Sequence, residues 1–230
     1  AYKSNYGDNY KDSLNQALTS AGYKNLSEYR QRMIKQIQYA NFLLDYIDDH
    51  FDDVFNDYYQ QCAPKYVSLI KISVSDTSSP TDNETSKLNE VKELISNTDK
   101  SFGDIAQDYS NDSTSSKKGS LGIVDSKDTS GIANSYGKDV FNAIEALSEG
   151  QVSDVITGDD GYYFVKVTST DKKTLKKELK KTDIDSPLLA YDDYLQYVVY
   201  NSYKINYKDK DIKKIVQEVV NKALEERKTE

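Results

Sequence analysis

FGDIAQDYSNDSTSSKKGSLG, residues 102–122, is the stretch on which the reading of this 230-residue chain turns. It reads as a short helix, with Ser101 and Asp104 as its capped start. A Ser/Asn/Asp loop follows, and Gly119-x-Leu121-Gly122 is a turn feeding a strand. Two other stretches belong with it: YVSLIKISVSD (66–76) before it and LSEGQVSDVITGDDGYYFVKV (147–167) after it.

The first of these alternates. Ile70, Ile72 and Val74 point one way and Val67, Leu69 and Lys71 the other, as in a strand covered on both faces. DTSSPTDN (76–83) is a polar loop, and Leu88, Val91, Leu94 and Ile95 mark a helix after it. Residues 122–138 read as a loop rich in Ser, Asp and Gly. GDDG (158–161) is a hairpin turn joining 152–157 to 162–168. The sum is an α+β domain over 65–170, a small antiparallel sheet with helices packed on it.

Helical patterns flank this domain. Residues 8–21 carry Tyr10, Leu14, Ala17, Leu18 and Ala21 on one stripe, stopped by Gly22. Asn25, with Glu28 three residues on, opens a longer helix, whose stripe is Leu26, Tyr29, Met33, Ile37, Ala40, Leu44 and Ile47. A third spans 53–62 with Val54, Phe55, Tyr58, Tyr59 and Cys62, and Pro64 ends it. Beyond the domain, 175–179 is a weak, lysine-rich helix and 188–203 an apolar, tyrosine-rich one after Pro187. The clearest is 211–226, with Ile212, Ile215, Val216, Val219, Val220, Ala223 and Leu224 on one stripe. Neither set buries its stripe alone. Residues 1–64 and 171–230 are therefore expected to form one composite helical lobe, with 65–170 inserted between them.

Composition narrows the function. Charged residues make up 30% of the chain and the net charge is -8; mean hydropathy is -0.76. An acidic chain lacks the basic patches that nucleic acid requires and gains nothing from an anionic lipid surface. No apolar run is long enough to span a bilayer. Twenty tyrosines stand against six phenylalanines and no tryptophan. Tyr brings apolar area with a hydroxyl that needs a partner, which suits amphipathic core edges or a sticky peptide-binding surface. The cluster Asp45, Asp48, Asp49, Asp52, Asp53 and Asp57 lacks the glycine and the ligand spacing of a calcium loop; it reads as a solvated helix face and helix start. No metal or cofactor is expected. Cys62 is the only cysteine, so an internal disulfide is impossible; it reads as a half-buried helix residue with no histidine to pair with.

The three opening stretches resemble the parvulin-type peptidyl-prolyl isomerase domain and, within that family, the PrsA-type extracellular foldases. The family pattern Phe-x-x-Leu-Ala-x-x-Tyr-Ser-x-Asp is matched by Phe102, Ile105, Ala106, Tyr109, Ser110 and Asp112. Of Gly-Gly-Asp-Leu-Gly, Gly119, Leu121 and Gly122 remain while Lys118 and Ser120 depart. Ala143, Leu147, Gly150, Val152 and Ser153 match the helix end and following turn, and Gly161, Tyr162, Lys166 and Val167 the last strand. The pieces recur in order over about a hundred residues.

The resemblance implies a prolyl pocket. Leu121, Val140 and Phe141 would line the proline site, with Asp112, Thr157 and Tyr163 around the amide. Family members usually carry two pocket histidines, one on the first strand and one on the last. Here those positions read Lys71 and Tyr163, and the one histidine, His50, lies upstream. Asp112 equally suits a loop aspartate capping a turn. The resemblance also implies an exported lipoprotein at the outer face of the cytoplasmic membrane, with its signal and anchor upstream of this sequence, and unfolded or partly folded secreted polypeptides as partners. A homodimer stays open. Three functions remain: a holding foldase whose isomerase domain is weak or inactive, a working isomerase with an altered pocket, and a surface or adhesion domain on the same fold.

Overall fold

The computed structural model describes residues 2–97, 99–179 and 186–227. It divides into two compact units, Ala1–Phe51 and Asp52–Glu230. The first unit is helical: α1 (Tyr2–Tyr6), α2 (Tyr10–Ser20) and α3 (Leu26–Asp49). The start of α3 is fixed as the sequence predicts, because the Asn25 side chain accepts from the Glu28 N–H at 2.9 Å while Glu28 accepts from the Lys24 N–H at 2.7 Å. Two donors at the helix start are thereby satisfied.

The second unit opens one residue into α4 (Phe51–Cys62) and runs into β1 (Lys65–Ser73). After it come α5 (Asp82–Asn97), α6 (Phe102–Tyr109), β2 (Ser120–Val124), α7 (Ile132–Tyr136) and α8 (Lys138–Ala146). The chain continues through β3 (Ile156–Thr157), β4 (Gly161–Ser169), α9 (Lys172–Leu179), α10 (Pro187–Ala190), α11 (Asp193–Ser202) and α12 (Lys210–Glu226). The four strands form one antiparallel sheet in the order β2-β1-β4-β3. Strand alternation in β1 divides the core in two. Val67 and Leu69 join Tyr163 and Val165 against Ile132 of α7 and Val140 and Ile144 of α8. On the other face Ile70, Ile72 and Phe164 pack against Leu88 and Val91 of α5 and Phe102, Ile105 and Ala106 of α6. Gly119 makes the crossing from α6 to β2 tight. Its φ is +74°, and a Cβ there would stand 2.4 Å from the Leu69 carbonyl oxygen, so no other residue fits.

Four sequence expectations change. The hairpin arm before the turn holds only two strand residues, because after a single bridge between Val152 and Lys166 the side chain of Ser153 takes the Val165 N–H at 3.0 Å. The stretch 122–138 is not all loop. Asp128 accepts from the Ile132 and Ala133 N–H groups at 2.6 and 3.0 Å and starts α7. The helix expected over 188–203 breaks into α10 and α11 at Tyr191, whose ring packs on Tyr58 and whose hydroxyl donates to Asp57 at 2.5 Å. Cys62 is fully buried rather than half-buried, and burial pushes its thiol up to about 12, which removes thiolate reactivity.

Polar contacts, most of them buried, tie α4 to later parts of the chain. Tyr58 donates to the wholly buried Asp125 at 2.7 Å, and Asp125 also accepts from the Lys127 and Thr129 N–H groups and the Thr129 hydroxyl. Asp57 receives the Arg227 guanidinium as well as Tyr191, and Lys176 pairs with Asp52 at 2.9 Å. Along α12 the apolar stripe stays open: Ile212, Ile215 and Val219 are 56%, 61% and 64% exposed. Tyr58→Phe leaves a buried carboxylate short of one donor and should cost about 1–3 kcal/mol. Urea denaturation should show this as a lowered midpoint at unchanged slope.

Candidate functional site

The β1–β4 register sets Lys71 directly opposite Tyr163, so both side chains leave the sheet on the α7–α8 face. Lys71 extends over the Tyr163 ring, its Nζ 5.6 Å from the centroid. Both groups then meet Asp160 in the hairpin turn: Lys71 Nζ reaches Oδ2 at 2.5 Å and the Tyr163 hydroxyl donates to Oδ1. Those two contacts, the lysine first, hold the Asp160 carboxyl below the usual carboxylate range. Burial and then Asp160 push the Tyr163 hydroxyl up. The hairpin lies flat on this ring, since a Cβ at Gly158 would meet Tyr163 Cε2 at 2.6 Å.

Tyr136, at the end of α7, closes the other side. Its ring meets Tyr163 edge-on at 6.2 Å. Burial and then the facing Asp112 carboxylate push its hydroxyl up to about 12. Asp112 itself caps the 3-10 turn Ser113–Lys117, accepting from the Thr114 N–H at 2.8 Å and hydroxyl at 2.6 Å. Between the hairpin and the α7–α8 corner lies a cavity of about 610 Å³, lined among others by Tyr136, Val140, Ile156, Thr157, Asp160 and Tyr163. It joins an apolar and aromatic wall to hydroxyls and carboxylates. No group of three or more potential metal ligands stands together among the described residues.

Residues 69–169 match the family model of the PPIC-type PPIASE (rotamase) domain. The foldase protein PrsA of Staphylococcus aureus is 31% identical over 159 residues, covering 66% of this chain and 47% of the relative. That of Staphylococcus epidermidis is 35% identical over 136 residues, covering 56% and 39%. Residues 69–169 are thus a parvulin-type (PPIC-type) domain, and the chain is similar to PrsA foldases. Its aligned part spans less than half the length of these curated relatives. The crystal structure of PrsA from Bacillus subtilis aligns with 92% of this chain and 75% of its own at 22% identity and a TM-score of 0.42.

Within this parvulin-type domain, Lys71 and Tyr163 stand together, Thr157 and Val140 line the cavity, and Asp112 reaches it through Tyr136. Leu121 and Phe141 lie elsewhere, half-buried on the α7–α8 core, and Leu121 is the bulged residue where β2 slips against β1. Asp160 and Tyr136 escape the sequence reading. Asp160 is one of two adjacent turn aspartates, and only the register of β4 shows which one meets Lys71. Tyr136 lies in a stretch read as loop. Above pH 10 an unfolded tyrosine ionises while Tyr136 stays protonated, so the stability it contributes is lost as pH rises from about 10 to about 12. Tyr136→Phe should flatten the decline of urea stability over that window. Asp112→Asn should move the Tyr136 midpoint down towards 10, read by NMR of ring-labelled tyrosine.

Proposed function

We propose that this chain is part of an exported foldase that holds unfolded or partly folded secreted polypeptides, and that its parvulin-type domain engages prolyl segments with weak or no isomerase activity. Rotation of an X–Pro amide faces a barrier of about 18–20 kcal/mol because resonance is lost in the twisted state. A catalyst must offer polar groups that favour the twisted amide over the planar one. The observation that carries the reading is that Lys71, Asp160 and Tyr163 are engaged with one another. The Tyr163 hydroxyl has its proton committed to Asp160, and Lys71 is drawn towards the same carboxylate, so a substrate amide must compete with Asp160 for both donors. The holding half of the reading draws on the name of the relatives and on exposed apolar helix residues: Ile34, Ile37 and Phe42 on α3, and Ile212, Ile215 and Val219 on α12. Such surface suits contact with unfolded chains.

Location follows from the same kinship. No described helix is long and apolar enough to cross a membrane; attachment at the outer face of the cytoplasmic membrane would come from a lipid anchor upstream of this sequence. One observation favours the second reading, an active isomerase: the Tyr136 hydroxyl stays protonated at neutral pH and stands by the cavity, where it could donate to a twisted carbonyl.

Holding and catalysis separate by mutation. Asp112→Ala with Tyr163→Ala should leave suppression of client aggregation within about twofold, whereas Ile215→Ser with Val219→Ser should weaken it several-fold. The unaltered chain should accelerate a protease-coupled proline-peptide reaction only slightly above background. Circular dichroism on each variant guards against simple unfolding. Loss of holding in a folded pocket variant, or strong turnover by the unaltered chain, would hand the function to the enzyme.

A further inference from the structure

The sheet face away from the Lys71–Tyr163 cavity carries a second depression of about 330 Å³, beside the N-terminus of α6. The strand register builds its floor. Ser68 of β1 is paired with Ser120 of β2 on one side and Lys166 of β4 on the other. Tyr66 and Thr168 extend that floor, Ser101 and Gly103 form the helix side, and Lys117 and Lys118 form the rim. Three lysines thus gather at one depression on a chain whose net charge is -8.

The groups already engaged can be separated from those left over. Lys118 pairs with Asp104 at 2.7 Å, and Asp104 also accepts from the Ser101 hydroxyl at 2.7 Å. The Tyr66 and Ser120 hydroxyls share a hydrogen bond of 2.8 Å, and Thr168 donates to the Tyr66 carbonyl at 2.8 Å. At the helix start Ser101 takes the Asp104 and Ile105 N–H groups, leaving the amides of Phe102 and Gly103 without an intrahelical partner. Lys117 and Lys166 have no carboxylate partner among the described residues. Ser68 is the telling residue. It is only 7% exposed, it lines the depression, and its hydroxyl has no hydrogen-bond partner among the described residues. Its oxygen is not sealed from solvent, so the hydroxyl is free to meet a ligand in the depression.

We propose that this depression binds a phosphate-type oxyanion. Free helix-start amides favour negative charge, two unpaired ammonium groups supply charge-assisted hydrogen bonds, and the Ser68 hydroxyl donates from below. The volume leaves room for an organic substituent on the phosphate. The site is separate from the prolyl cavity, on the opposite face of the sheet, and does not depend on the isomerase reading.

The test is a titration of the full chain with inorganic phosphate, followed by ¹⁵N–¹H correlation NMR at low salt. Saturable shifts are expected at Ser68, Phe102 and Gly103, with Gly158 and Tyr163 unmoved, and they should weaken as salt is added. Dimethyl phosphate as a parallel ligand separates the sources: a comparable response assigns a phosphodiester, and a response to inorganic phosphate alone assigns a terminal phosphate. Lys117→Gln with Lys166→Gln should weaken binding about tenfold or more. Ser68→Ala should weaken it less, and because Ser68 lies inside the sheet the surface lysine pair decides the matter. Linear, non-saturating shifts, or unchanged affinity in the lysine variant, would overturn the proposal.

Discussion

The antiparallel ladder between β1 and β4 is the constraint on which the second unit depends. Eight consecutive residues of β1, Tyr66 to Ser73, find partners on β4, and β1 also carries β2 on its other edge. A central strand has no free edge and two faces to bury, so its alternating side chains serve two cores at once. A slip of one residue would exchange the faces, sending Lys71 into the α5–α6 core and Ile70 or Ile72 towards the cavity. Burial of Val67, Leu69, Ile70 and Ile72 at 0% exposure therefore fixes the position of Lys71 as firmly as any contact it makes itself. The Lys71–Asp160–Tyr163 group follows from apolar packing.

Where apolar packing ends, charged groups finish helices. Lys65, at the first position of β1, donates to three carbonyls at the end of α8: Ile144 at 2.9 Å, Glu145 at 2.7 Å and Leu147 at 3.1 Å. An ammonium group there satisfies orphan acceptors and opposes the negative end of the helix dipole. Asp128 does the converse at the start of α7. Since residues of α7 and α8 line the Tyr136–Tyr163 cavity, its shape rests on these two termini as well as on the core beneath.

Much of this was legible in the sequence. The two faces of β1, the caps at Asn25 and Ser101 and the turn at Gly119 follow from local chemistry: alternation, a side-chain acceptor three residues before an amide, a backbone only glycine adopts. The nearness of Lys71 and Tyr163 came through family resemblance. Features set by partners distant in sequence stayed hidden. Nothing local marks Tyr191 as the break between α10 and α11; Asp57 and Tyr58 do that, more than 130 residues away. Ser153 looks like a strand residue until its hydroxyl replaces a ladder carbonyl. Leu121 carries the family motif, yet it is the extra residue of a bulge and packs on the core without lining the cavity.

The abundance of tyrosine gains a physical explanation from its partners. Tyr58 donates to Asp125, Tyr191 to Asp57, Tyr163 to Asp160 and Tyr109 to Glu90, while Tyr136 faces Asp112. A phenol fills a core edge almost as phenylalanine does, but its hydroxyl must be satisfied; an acidic chain offers carboxylates everywhere to satisfy it. The pairings of Tyr58 with Asp125 and of Tyr191 with Asp57 solve two problems each, because a carboxylate drawn inwards also needs donors. Burial comes first among the causes that push Tyr58, Tyr136, Tyr163 and Tyr191 up, with a carboxylate next, so at neutral pH all four remain neutral donors. The composition that suited amphipathic core edges or a sticky surface serves, at these positions, the first of the two in a chain with 38 acidic residues and no tryptophan.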